Sequence, residues 1–291
     1  MPFALLIGFF LLSTLEVCFF NQSVLGHNFA PNESASFLTL MNTIQAETEL
    51  VEENILHNRT LAMEHADNAV NLLTEEWIDE IAEKNPRVAT ELSNAINDLR
   101  NATTQTEIIP STITEKISEI NDISSEAIST RISKADLSNS TIQALVVANI
   151  ANEIYSKYAD ALGISPLPKA LSYLGMSTGH GAAAASMNMH SANVTAEENN
   201  LDLSIPRNVT NELDYQTALG LISRAQYVLN NDLKPLSTSN LTDTINDVNN
   251  KLSELGTAID NKVPFMDVLV IIHANIHPEL ISAFHLPLRQ Q

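Results

Sequence analysis

Between Glu49 and Glu83 the apolar residues Ile55, Ala62, Ala66, Ala69 and Leu73 recur mostly at three- and four-residue steps, with polar and acidic residues between them. That spacing puts them on one stripe of a helix and excludes a half-buried strand, which needs strict alternation. Trp77 and Ile81 continue the stripe, and Asn85-Pro86 marks a stop and a new start with Asn85 as N-cap. The pattern repeats along the chain. Leu92, Ala95, Ile96 and Leu99 form one line, and Ile113, Ile117, Ile120, Ile123 and Ile128 another, capped by Ser111. Val147, Ile150, Ile154, Tyr158 and Leu162 lie in the most apolar segment, Thr141 to Leu162. Helical spacing returns in Asn211–Asn231, in Leu241–Ile259 and in a last helix starting at Pro264. No alternating run competes, so the expected fold is all-α, two up-and-down bundle halves joined by a flexible Met/His-containing linker.

The second half echoes the first. "LVVANIANEI" (Leu145 to Ile154) aligns with "VIIHANIHPEL" (Val270 to Leu280), and "ITEKISEI" (Ile113 to Ile120) with "LTDTINDV" (Leu241 to Val248). This reads as a duplicated three-helix unit, with an extra helix near 86–103 in the first copy. The resulting division is 1–26 signal peptide or N-terminal anchor, 27–47 mixed leader, 48–162 first half, 163–208 linker rich in Met, His, Gly and Ala, and 209–291 second half.

Phe3 to Phe20 is mostly apolar and turns polar at Asn21, as in a secretory signal peptide. There is no Lys or Arg before it, and Glu16 interrupts it. An uncleaved anchor is the competing reading, but Glu16 near the bilayer centre would cost roughly 2.5–3.5 kcal/mol. A cut after Gly26 would make His27 the amino terminus, a residue that chelates copper through its amine and ring. Cys18 lies in the removed segment, so the mature chain has no thiolate ligand and no disulfide. Eight Asn-x-Ser/Thr sequons, at Asn21, Asn32, Asn58, Asn101, Asn139, Asn193, Asn208 and Asn240, agree with export and predict a glycoprotein.

Asp plus Glu outnumber Lys plus Arg by 35 to 15, a net charge of −20. This excludes a nucleic-acid binder, which needs basic groups to displace counterions from phosphates, and argues against docking on an anionic membrane. It suits a well-solvated protein in an extracytoplasmic space, or one that collects cations.

The candidate chemistry is metal binding. Met176, His180, Met187, Met189 and His190 lie in the linker, where no helical stripe needs them. Thioether and imidazole are donors that a soft or borderline ion such as copper accepts, and Met187, Met189 and His190 put two sulfurs and a nitrogen within four residues. His273 and His277, four apart, fall on one helical face with Met266, Val270, Ile281 and Phe284, and are either a second candidate metal pair or buried, hydrogen-bonded histidines. Pro278 disfavours helical geometry at His277, which predicts that the two rings diverge or that His277 caps a new turn. His57 and His65, read on one helix, stand about 12 Å apart, too far for a shared ion. His65 lies at the edge of its stripe, placed to meet another helix. No Glu-x-x-His or His-Glu-x-x-His occurs. Gly175-Met176-Ser177-Thr178-Gly179 matches the hydrolase nucleophile elbow but lacks the strand before it and the helix after it. With no acid–base constellation, the chain is expected to be non-enzymatic: a copper carrier or accessory, or else a structural or interaction component with an envelope protein partner.

The blocks "HADNAVNLLTEEWIDEIAEKN", "STIQALVVANIANEIYSKY" and "PFMDVLVIIHANIHPEL", in that order around the Met-rich linker, resemble an uncharacterised family of secreted helical proteins from ammonia-oxidising archaea. The resemblance implies an envelope location in organisms that use copper heavily. It brings no catalytic residues.

Overall fold

The computed structural model describes residues 29, 32–164 and 202–288. Among them the chain is all-α, with no strand and one isolated antiparallel bridge between Phe29 and Leu288. The helices are α1 (Glu33–Asn54), α2 (Arg59–Leu72), α3 (Glu75–Ala82), α4 (Pro86–Thr103), α5 (Pro110–Arg131), the short α6 (Lys134–Leu137) and α7 (Ser140–Ala161). After residues 165–201 follow α8 (Glu212–Tyr227), extended by a π turn (Val228–Leu233), and α9 (Thr242–Asp260). The last helix has three parts: α10 (Phe265–Val270), a π turn (Ile271–Ile276) and α11 (His277–Phe284).

Asparagine starts many of these helices. Side chains of Asn32, Asn58, Asn85, Asn139 and Asn211 each accept a backbone N–H from the first turn of α1, α2, α4, α7 and α8. Such a cap is worth about 1 kcal/mol. Asn32, Asn58 and Asn139 are also sequon asparagines, so capping accounts for Asn at three of the eight sequons. The expected cap at Ser111 is replaced by Pro110 at the first position of α5, where its missing N–H costs nothing.

The stretch 27–47, expected to be a mixed leader with a helix forming by Phe37, contains most of α1, which starts earlier, at Glu33, and is the central helix. It packs on α2, α5, α7 and α8, and residues from Ala35 to Asn54 are buried on nearly every face. A helix buried all round has no stripe, which is why no period marks it. Its polar side chains bond back onto the helix: Thr39 donates to the Ala35 carbonyl, Asn42 to Leu38 and Thr43 to Thr39, at 2.8–3.0 Å. The stripe read as continuous from Glu49 to Glu83 is instead broken at 55–58 and again at Leu73-Thr74, while Ile55, Ala62, Ala66, Ala69, Leu73, Trp77 and Ile81 are all buried.

The two halves share one core. The largest helix–helix interface pairs α7 with α8, across the 163–208 segment, and α1 packs on both. Ile150, Ile154, Tyr158, Leu221 and Leu229 are fully buried there. Burial stabilises each such aliphatic side chain by about 1.5–3 kcal/mol. Arg224 of α8 reaches α1, bonding Asn42 (2.9 Å), Gln45 (2.5 Å) and Glu49 (3.2 Å) while its guanidinium covers the Tyr227 ring. On the far side of α1, Arg131 of α5 pairs with Glu80 and lies over Phe37 and Trp77, tying α1, α3 and α5 together. No described helix is long and apolar enough to cross a membrane.

Candidate functional site

The histidine pair is built by the last helix. An α-helix cannot carry proline in its interior without losing a bond and crowding the carbonyl four residues back. Here the π turn Ile271–Ile276, with its wider i→i+5 ring, ends just before Pro278, and α11 restarts with Pro278 in its first turn. His277 is therefore helical (φ −61, ψ −46), and the expected divergence of the rings is not found. His273 and His277 stand with ring centroids 4.8 Å apart and planes 85° to each other, both buried. Tyr155 of α7 lies 5.2 Å from His273, and Phe29 meets His277 edge-on at 5.1 Å. His277 Nε2 lies 3.3 Å from the Ala148 carbonyl of α7. A carbonyl only accepts, so in this contact Nε2 is the donor. Burial pushes the neighbouring Tyr155 phenol up to about 12, so it stays protonated.

A second buried site was only hinted at by the sequence. His65 of α2 places Nδ1 2.6 Å from Glu47 Oε2 of α1 and Nε2 3.2 Å from Gln216 Oε1 of α8. Thr217 donates to Glu47 Oε1 at 2.9 Å, with Asn68 at 3.5 Å. Asn54 donates to both the Leu50 carbonyl (2.9 Å) and Gln216 Oε1 (2.6 Å), which fixes which end of the Gln216 amide faces the ring. Both ring nitrogens thus face oxygen acceptors. Position 65 at the edge of an apolar stripe was the signal; Glu47 gave none, because α1 shows no period. His57 lies exposed in the turn after α1, not on one helix with His65.

Lys157 of α7 extends this polar layer, bonding Asp214 of α8 at 2.8 Å. Burial alone would depress its ammonium, but the bond to Asp214 and the charges of Asp214, Glu47 and Glu153 outweigh it, and the net shift is upward. Burial raises the Glu153 carboxyl to about 7, against the opposing pull of Lys157 and with a smaller push from Asp160. A groove of about 330 Å³ runs above the layer between α1 and α8, floored by Leu50, Leu219 and Gly220 and rimmed by Glu49, Glu53 and Glu212.

The linker donors Met176, His180, Met187, Met189 and His190 lie outside the described residues, as does the Gly175–Gly179 motif. The linker's two stems are described. At one, the Ala161 carbonyl accepts from the Thr210 and Asn211 N–H groups at 2.8 and 3.2 Å, and Gly163 takes a left-handed turn beside Thr210. At the other, the Leu203 carbonyl accepts from Met266 N at 3.1 Å. Among the described residues no three His, Cys, Asp or Glu side chains gather as a metal site. Comparison with protein-family models, with curated proteins and with solved structures finds no match to any.

Proposed function

We propose that this chain is an exported, non-enzymatic, acidic helical-bundle protein that binds copper, or a similar soft or borderline ion, through residues 163–208, as a carrier or accessory. The observation that carries the reading is the closed stem. The Ala161–Thr210 and Leu203–Met266 bonds fasten both ends of the segment to one packed body. A connection between two separate bundles would need length. A connection between α7 and α8, which already lie side by side, needs only a few residues. The intervening chain is therefore longer than its span requires, and it carries Met187, Met189 and His190 within four residues. Loops of such excess length are either functional or plain linkers, and a plain linker has no need of Met-Asn-Met-His. The −20 charge draws cations toward the molecule.

The test is titration of the mature protein with Cu(I) and Cu(II), repeated with Met187, Met189 and His190 all changed to Ala. Binding tighter than micromolar that is lost in the triple variant is the expected result. No such binding, or binding that the substitutions leave intact, removes the linker from the function and leaves the chain as an envelope component that works through protein contacts.

A further inference from the structure

We propose that the groove between α1 and α8 binds an aliphatic polyamine. One ammonium group sits between Glu53 and Glu212, a methylene arm crosses Leu50, Leu219 and Gly220, and a second ammonium reaches Glu49. The site lies outside 163–208 and does not depend on copper.

Helix register builds the groove. Asn54 bonds Gln216 at 2.6 Å, while Arg224 bonds Asn42 and Glu49, so α1 and α8 run antiparallel along their seam. Glu53 adjoins Asn54, and Glu212 lies one turn before Gln216, so these two carboxylates share one end of the groove. Glu49 and Ser223 mark the other end. Glu49 and Glu53 stand one turn apart, roughly 6 Å along the axis, which is the scale of a short methylene arm between two amines. Between the ends the floor is apolar. Gly220 lets the two walls approach there, since a Cβ would meet Leu50 Cδ1 at 3.1 Å.

Charge and floor together select the occupant. Two cations stand near the groove: Arg224, committed to α1, and Lys262, 5.7 Å from the Tyr215 ring. Among the described residues neither Glu53 nor Glu212 has an ion-pair partner, and both are exposed, so that end carries uncompensated negative charge. The rim therefore repels anions. A polyol would set hydroxyls against Leu50 and Leu219 without partners. A divalent ion needs converging oxygens, whereas here an apolar floor separates Glu49 from the Glu53 and Glu212 end. An alkyl chain with ammonium ends fits both features, because its stem lies on apolar surface while its charged heads stay wet. The volume of about 330 Å³ is at the lower end of the range for small-molecule sites.

The test is calorimetric titration of the purified protein with spermidine at low ionic strength, and in parallel with Mg(II). The expected result is one spermidine per chain with a Kd below about 1 mM that weakens as salt rises. Glu53→Gln with Glu212→Gln, at two exposed positions, is expected to weaken binding by about tenfold or more. Leu219→Trp, which fills the floor, is expected to abolish it, with circular dichroism reporting whether the bundle stays folded. Glu115→Gln with Asp122→Gln removes the same charge from exposed positions of α5 and is expected to leave binding unchanged. The proposal is overturned if spermidine does not bind in that range, if the Glu53/Glu212 variant binds as the parent does, or if a folded Leu219→Trp protein does. It is equally overturned if the α5 variant loses as much affinity as the groove variant, or if Mg(II) binds as tightly and is lost with it. Those results mark the rim as acidic surface that gathers counterions. Every variant keeps Met187, Met189 and His190, so the copper reading and this one fail separately.

Discussion

Nδ1 of His65 lies 2.6 Å from Oε2 of Glu47, and both side chains are sealed from solvent. The contact joins α1 to α2, and its outer bonds to Gln216 and Thr217 join both to α8. A buried pair of this kind is strongly coupled, because removing one partner strands the other away from water.

Glu47→Ala and His65→Ala are each expected to destabilise the protein by about 3–5 kcal/mol. Replacing both by apolar residues of similar volume should cost less than either single change, since no polar group is then left buried alone. Urea denaturation of the two singles and the double measures this. Singles that cost under about 1 kcal/mol would show that the contact is not part of the native core.

Glu153 sets a pH dependence. Its carboxyl is raised from the ordinary 4.5 to about 7 by burial, so between those values the folded chain holds a proton that the unfolded chain releases. Its contribution is fully present below pH 4.5 and is lost as pH rises through 7. Glu153→Gln removes the ionisation and should flatten the fall in stability between pH 5 and pH 8. The gain at pH 8 should be on the order of 1–3 kcal/mol, less than the full shift implies because the side chain is partly exposed. Melting curves of the variant and the parent at the two pH values give the difference; parallel curves would contradict it.

Gly163 ends α7 with φ +66, and a Cβ there would meet Thr210 Oγ1 at 3.1 Å. Gly163→Ala is expected to cost about 1–2 kcal/mol, and Gly163→Asn less, since Asn tolerates the left-handed region. Equal stability of the Gly and Ala proteins would mean that the stem turn differs from the one described.

Replacing residues 165–201 by about eight Gly or Ser residues should leave the bundle folded. Loop-closure entropy then changes by no more than about 2 kcal/mol, in the stabilising direction. Copper binding by the linker should vanish. If the protein fails to fold without the segment, the stems do not form a closed base.

The outlines of the fold were legible wherever a helix has one wet face. Val88, Leu92, Ala95, Ile96 and Leu99 give a clean stripe and are all buried in α4, and Asn85 caps it as its place before Pro86 predicts. What the stripes miss is what burial on several faces erases. α1 carries Thr39, Asn42, Thr43, Glu47 and Asn54 into the core by pairing each one, and no local pattern announces that. The π turn before Pro278 was also hidden, because proline signals a break and not the wider turn that accommodates it. Of the candidate metal donors, the structure brings His273 and His277 together and leaves Met176, His180, Met187, Met189 and His190 outside the described residues.

The hydrogen-bonded base formed by Ala161, Thr210, Leu203 and Met266 has a consequence for how the chain can change. With both ends held there, the base can stay closed while residues between its bonds are substituted, inserted or deleted. The sequence between the bonds is then under weaker constraint from the fold than the helices on either side, and it can drift in length and composition while α7 and α8 keep their places.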